Sequence, residues 1–273
     1  MAAARAFSRP EASRARHLTQ FRATCSRSGV VSADYLLIDI SNSFTKLALS
    51  TAQRVGRSFQ VPTPELTAQR LVRQTAPRAV IVSSVVPAKN ALIRRAFPGT
   101  RVLFIDAKSK LGVGVQYPNP RTIGADRLAN AAAVAELYGV PAIVVDFGTA
   151  VTFDVVSAKR DYIGGVIAPG LEAMTAYLYQ RTALLPKLSL REPRSAIGKS
   201  TREAMMAGAI YGYRGLLREI LAQIRREAFR KRPVRVVATG GYAKLIARGM
   251  PEIEAVHPGL TLEGLRIIAN LNL

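Results

Sequence analysis

The sequence predicts a mixed α/β fold of two duplicated domains with a cleft between them, and three observations lead there. Residues 143–156 (IVVDFGTAVTFDVV) run apolar into Asp146, turn at Phe-Gly-Thr and continue as a second alternating run, the pattern of a buried strand with its hairpin partner. Residues 36–49 (LLIDISNSFTKLAL) align with them at a constant offset, placing Asp39 on Asp146, Ser41 on Gly148, Asn42 on Thr149 and Thr45 on Thr152. A weaker echo pairs residues 80–85 (VIVSSV) with 236–241 (VVATGG). Repetition at so long a separation points to two related domains rather than a short-period solenoid.

Taken in order, residues 1–33 form a basic N-terminal extension outside the fold, with six Arg, one acid and no apolar core of a secretory signal. The first domain spans 34–139. Its hairpin is 36–39 with 44–49, a third strand follows at 55–60, and Pro62 and Pro64 break the sheet. Helical spacing marks 65–75 and 88–96, around a short buried strand at 79–82, with another strand at 101–105. Residues 112–117 (GVGVQY) lack the third glycine of a dinucleotide fingerprint, and Pro118 and Pro120 stand where its helix would begin. Gly124-Ala125-Asp126-Arg127 opens an alanine-rich helix that runs to about Tyr138 and stops at Gly139 and Pro141.

The second domain spans 140–273. After its hairpin come a strand at 162–167, a helix at 171–180 and a loop at 182–195 carrying Pro186 and Pro193. Gly198-Lys199-Ser200 has the ending of a phosphate-binding P-loop, but Pro193 occupies the earlier glycine position, which rejects that motif. Thr201 is the expected N-cap of a long helix to about Arg230. A strand at 234–238 ends in Thr239-Gly240-Gly241, where backbone can come close to a ligand.

Lys plus Arg number 39 and Asp plus Glu 18, a net charge of +21 that favours anionic partners. The densest basic cluster, Arg225, Arg226, Arg230, Lys231 and Arg232, closes a helical pattern, where cations also suit the helix dipole; without interleaved aromatics it weighs against nucleic acid. No apolar run reaches the roughly 20 residues of a membrane span. Cys25 is the only cysteine, so no intrachain disulfide forms and a cytoplasmic location is expected.

An acid where a buried strand ends is costly unless it is paired or holds a cation. Asp146 is therefore read as a site for a metal, a monovalent cation or a phosphate-bound ion, or else as a turn aspartate capping Gly148 and Thr149. Two such hairpins across a cleft suit a nucleotide whose phosphates lie between them, with Ser41, Asn42, Ser43, Gly148 and Thr149 offering hydroxyl and backbone donors. Asp39 then orients a hydrated Mg²⁺ on those phosphates. Asp126 remains as a candidate base for an acceptor hydroxyl.

Six ordered motifs carry a family resemblance from about Leu36 to the C-terminus. They are Asp39-Ile40-Ser41-Asn42-Ser43, Gly124 to Arg127, Asp146 to Ala150, Gly164 to Gly170, Ile197 to Thr201 and Thr239 to Gly241. The chain resembles the type III pantothenate kinases, of the actin, hexokinase and Hsp70-like ATPase superfamily. That resemblance implies two ribonuclease H-like domains and ATP-dependent phosphorylation of pantothenate, the first step towards coenzyme A. It implies Asp126 as general base and Arg127 pairing with the substrate carboxylate, with Tyr117, Gly124, Ala125 and Thr201 lining the pantothenate pocket. It further implies that Asp39, Ile40, Ser41, Asn42, Ser43, Phe44, Thr45, Lys46 and Thr149 contact ATP, and that Asp146 holds a required K⁺ or NH₄⁺. The family is homodimeric, so the small-residue helix 126–138 is an expected intersubunit contact. Ser41 departs from the family's Gly, and weakened or repositioned ATP contacts are expected there. A non-catalytic transcriptional accessory protein on the same fold is the alternative reading.

Overall fold

A computed structural model describes residues 33–72, 77–230 and 232–273. The expected extension at 1–33, all but its last residue, Cys25, the end of the helix expected at 65–75, and Lys231 lie outside the described residues.

Two sheets organise the chain. β1 (Tyr35–Ile40), β2 (Phe44–Ser50), β3 (Phe59–Pro62), β4 (Ala79–Ser84) and β5 (Arg101–Phe104) form a five-stranded sheet in the order β3-β2-β1-β4-β5. The second sheet contains β6 (Gly114–Val115), β7 (Ala142–Phe147), β8 (Ala150–Val156), β9 (Asp161–Pro169), β10 (Arg235–Gly240) and β11 (Ala255–Val256), in the order β11-β10-β7-β8-β9-β6. Apart from β6, the two orders are the same topology: an antiparallel hairpin and third strand on one side, parallel strands on the other. The echo between 80–85 and 236–241 is the pair β4 and β10, which occupy equivalent places.

The constant offset between the hairpins holds only for their first strands. Ile40 pairs with Thr45, whereas Phe147 pairs with Val151, so the second turn is one residue shorter. Val151, not Thr152, is the structural counterpart of Thr45. The third strand also lies later than expected, at Phe59–Pro62, with Val55 making only an isolated bridge to Ser50.

Alternation along the strands fills three layers. Leu36, Ile38 and Ile40 face one side, where α1 (Ala68–Val72) and α2 (Asn90–Ala96) cover the first sheet. Leu37 and Ile81 face the other side, as do Ala142 and Val144 of the second sheet. Between the sheets lie α3 (Ala125–Leu137) and α7 (Leu260–Asn272). The outer face of the second sheet, Ile143, Val145, Val151 and Phe153, packs on α5 (Thr201–Ile224) and α6 (Ala243–Ala247).

The sequence patterns at the helix ends explain the boundaries. Ser200, rather than Thr201, caps α5: its Oγ accepts from the Glu203 N–H, while the Glu203 carboxylate accepts from the Lys199 N–H at 2.9 Å. The last turn of that helix, Arg225–Phe229, is π-helical. α4 (Leu171–Arg181) follows β9 as expected. α6, β11 and α7 all lie beyond Gly241, where no periodicity was read. α7 corrects one expectation directly. A Cβ on Gly264 would collide with the Ala129 carbonyl, so α7 lies hard against the alanine face of α3. That face is filled within the chain and is not available as an intersubunit contact.

Candidate active site

Three carboxylates converge where the strands of both sheets end. Asp39, near the end of β1, stands opposite Lys46 on β2 and Ser83 on β4. It is 3 % exposed, and its Oδ1 has no hydrogen-bond partner among the described residues. Burial pushes its carboxyl up to about 7; Lys46 opposes this, and Asp126 and Asp146 add to it. Asp126 lies in the first turn of α3, its Oδ1 accepting from the Arg127 N–H at 2.8 Å. Burial raises its pKa as well, with the charge of Asp146 next. The buried hydroxyls of Ser83 and Thr239 are likewise unpartnered, and Thr239 stands opposite Asp146 in the pairing of β10 with β7.

Mutually repelling carboxylates beside an orphaned carboxylate oxygen fit a cation. Among the described residues no three His, Cys, Asp or Glu groups stand at metal-ligand spacing. One unpartnered carboxylate oxygen suits an ion that keeps most of its water, as Mg²⁺ does.

Asp146 is held differently. Its Oδ2 accepts from Asn130 Nδ2 at 3.0 Å, and Asn130 Oδ1 in turn accepts from the Thr261 hydroxyl at 2.9 Å. Asn130 lies one turn after Asp126 on α3, so one helix positions both acids. Gly240 adopts φ +92°, and a Cβ there would fall 2.7 Å from Asp146 Oδ1. The glycine in Thr-Gly-Gly thus gives that oxygen its space.

The tips of the two hairpins meet, Ser43 Oγ lying 2.9 Å from Thr149 Oγ1. The first turn closes through Ser41 N–H to the Phe44 carbonyl at 3.1 Å. Ser41 takes no positive φ, so the turn does not itself demand glycine. Thr63 latches the turn from below: its hydroxyl donates to the Ser41 carbonyl at 2.7 Å and its N–H to the Ser43 carbonyl at 3.0 Å. Of the residues expected at ATP, Ile40 and Thr45 are buried, Thr45 against the Thr63 hydroxyl, whereas Asn42, Ser43 and Phe44 are exposed.

The expected acceptor residues fall into two groups. Gly124, the N-cap of α3, leads into Ala125, Asp126 and Arg127. Tyr117 joins them through Tyr162, whose ring it meets edge-on at 6.2 Å while the Arg127 guanidinium sits 5.8 Å from the same ring. A pocket of about 500 Å³ adjoins this helix start, lined by Ser84, Asp106, Lys108, Arg121, Gly124 and Ala125. Thr201 is exposed at the first position of α5, and no hydrogen bond links it to the others among the described residues.

Sequence reasoning missed four residues of this site. Asp154 is fully buried and pairs with Arg127 Nε at 2.6 Å. Alternation gave its signal: Thr152, Asp154 and Val156 share the face turned to α3, where an acid needs a partner. Asn130, a polar residue in an alanine run one turn after Asp126, was equally legible. Thr63 and Thr261 carried no local signal.

The family model for type III pantothenate kinase matches residues 35–223. A type III pantothenate kinase from Akkermansia muciniphila is 51% identical over 248 residues, covering 88% of this chain and 99% of the relative. One from Methylacidiphilum infernorum is 42% identical over 239 residues, covering 86% and 88%. Among solved structures, a protein described as a Baf-family transcriptional activator from Campylobacter jejuni superposes with TM-score 0.58 at 16% identity, covering 86% of this chain and 97% of that one. A protein described as a 2-dehydro-3-deoxygalactonokinase from Sinorhizobium meliloti gives TM-score 0.54 at 14% identity, covering 86% and 98%. At such identities these two show the fold alone. The family match and the identities to curated relatives over most of both chains go further: the chain belongs to the type III pantothenate kinase family.

Proposed function

We infer that the protein transfers the γ-phosphoryl group of ATP to the primary hydroxyl of pantothenate. The observation that carries this reading is the set of three acids, Asp39 near the end of β1, Asp146 near the end of β7 and Asp126 in the first turn of α3, with Asp39 buried, Asp126 half-buried and the pKa of each raised further by the charge of Asp146. Asp126 takes the proton of the acceptor hydroxyl; the freed oxygen bonds to the γ-phosphorus, the bridging bond to the β-phosphate breaks, and ADP leaves. A raised pKa suits Asp126 to this work, because a more basic carboxylate is a better proton acceptor once ionised.

The turn at Ser41, Asn42 and Ser43, together with Thr149, offers donors to the phosphate oxygens. Asp39 and the waters it orders would hold Mg²⁺, which when bound neutralises charge on the phosphates. Asp146, aimed by Asn130, is assigned the monovalent cation, K⁺ or NH₄⁺. Arg127 is assigned the pantothenate carboxylate, with Tyr117, Gly124 and Ala125 around the chain of the substrate. The isolation of Thr201 supports a pocket completed across a homodimer. The chain divides into two functional domains at about residue 139, with ATP held between them. One cysteine and no helix long and apolar enough to cross a membrane among the described residues are the basis for assigning the cytoplasm. The accessory-protein reading is not favoured, because the likeness to the Baf-family protein is of fold alone.

The test is ADP release by the purified protein with MgATP and pantothenate, with and without K⁺. Pantothenate-dependent release that K⁺ stimulates is expected; no release under any cation condition would overturn the reading.

A further inference from the structure

Arg127 is clamped on one edge and open on the other. Its Nε donates to Asp154 Oδ1 at 2.6 Å, and its Nη2 reaches the Phe153 carbonyl at 3.4 Å. The guanidinium lies against the backbone of β9, where a Cβ on Gly165 would fall 2.6 Å from Nη2. Tyr162 stands beside it, its hydroxyl donating to the same Asp154 oxygen at 3.4 Å. Nη1 donates no hydrogen bond among the described residues, and the side chain keeps 12 % of its exposure. A mostly buried guanidinium with one nitrogen wholly unused is poised for a further anion.

Stability does not explain the pair. Burying a carboxylate completely costs more than an apolar contact of the same volume, and such pairs are weak stabilisers. What Asp154 contributes is direction. It holds the flexible arm of Arg127 by Nε, so that the guanidinium keeps its place beside the Tyr162 ring without searching rotamers.

We propose that Asp154 is the positioning residue that aims the Arg127 guanidinium at the carboxylate of the acceptor substrate, an inference that rests on the pantothenate reading of the site. Asp154 touches no substrate itself; it acts through Arg127 and matters only when the acceptor carries an anion.

Two acceptors separate this role from a structural one: pantothenate, and a neutral alkylamide of pantothenate with the hydroxyl kept and the carboxylate replaced. Asp154→Asn should raise the KM for pantothenate about tenfold, the loss of one charge-assisted contact, while the KM for the amide moves by less than about twofold. In an Arg127→Gln background the same substitution should add nothing. Tyr162→Phe removes only the hydroxyl donor to Asp154 and should give a smaller shift of the same kind, so the proposal stays testable if Asp154→Asn fails to fold. Equal shifts for the two acceptors, a fall in kcat alone, or a full effect without Arg127 would overturn it. Wild-type protein that phosphorylates neither acceptor would overturn the kinase reading and this proposal with it, whereas wild-type turnover with acceptor-independent shifts overturns the proposal alone.

Discussion

The two hairpins begin alike and end differently. Each carries an acid near the end of its first strand, but the second turn is one residue shorter, so Asp39 faces Lys46 across its hairpin and Asp146 faces Thr152. The shorter turn changes which residue of the second strand stands opposite the acid. The first acid is buried with a cation across from it, and one of its oxygens is unpartnered among the described residues. The second is half-buried and fixed by Asn130. One sheet topology thus provides two chemically distinct carboxylates.

The largest effect should come from the acid that belongs to neither hairpin. Asp126→Asn should lower kcat by about 10²- to 10⁴-fold, the usual worth of a general base, read by pantothenate-dependent ADP release. Retained turnover would shift the base assignment to a hairpin acid. In the wild type, kcat/KM should fall as pH drops through the raised pKa of Asp126, at a higher pH than an ordinary carboxylate would give.

Asp39→Asn should separate the hairpins by stability. In the folded protein this carboxyl sits at about 7 against an ordinary 3.8, so folding takes up a proton between those values and stability falls as pH rises through them. The substitution should therefore stabilise the ligand-free protein by at most about 4 kcal/mol at neutral pH, the gain vanishing below about pH 4. Thermal unfolding across pH measures it, and a difference that does not grow with pH would contradict the burial argument. Smaller still, Ser41→Gly should change the KM for ATP by less than about threefold, because the turn is closed without a positive φ and Thr63 latches it from below. A larger improvement would mean that the serine side chain crowds the phosphates.

Much of this was legible in the sequence because it rests on local pattern. The acid-tipped hairpins, the β4 and β10 echo and the start of α3 are each set by alternation or capping within a dozen residues. The pairing of the second strands was not, since a constant offset in sequence is blind to a turn one residue shorter. Asp154 and Asn130 stood in plain view as polar residues on apolar faces, but their partners, Arg127 and Thr261, lie 27 and 131 residues away. α7 was legible and was missed: Leu260, Leu262, Leu265, Ile267 and Ile268 are buried while Glu263, Arg266 and Asn270 form a polar stripe at helical spacing, and only its place between the two sheets needed the structure. Val55 read as strand by composition, yet the edge of the first sheet is completed by Phe59–Pro62, a choice made by tertiary pairing.

The division of labour between the hairpins is tested most directly by titrating MgATP and K⁺ separately in Asp39→Asn and Asp146→Ala. Asp39→Asn should raise the KM for MgATP and leave the half-saturating K⁺ concentration in place, while Asp146→Ala should abolish K⁺ activation and leave the KM for MgATP within about threefold. If both substitutions shift both titrations alike, the two acids form one undivided cation site and the account is wrong.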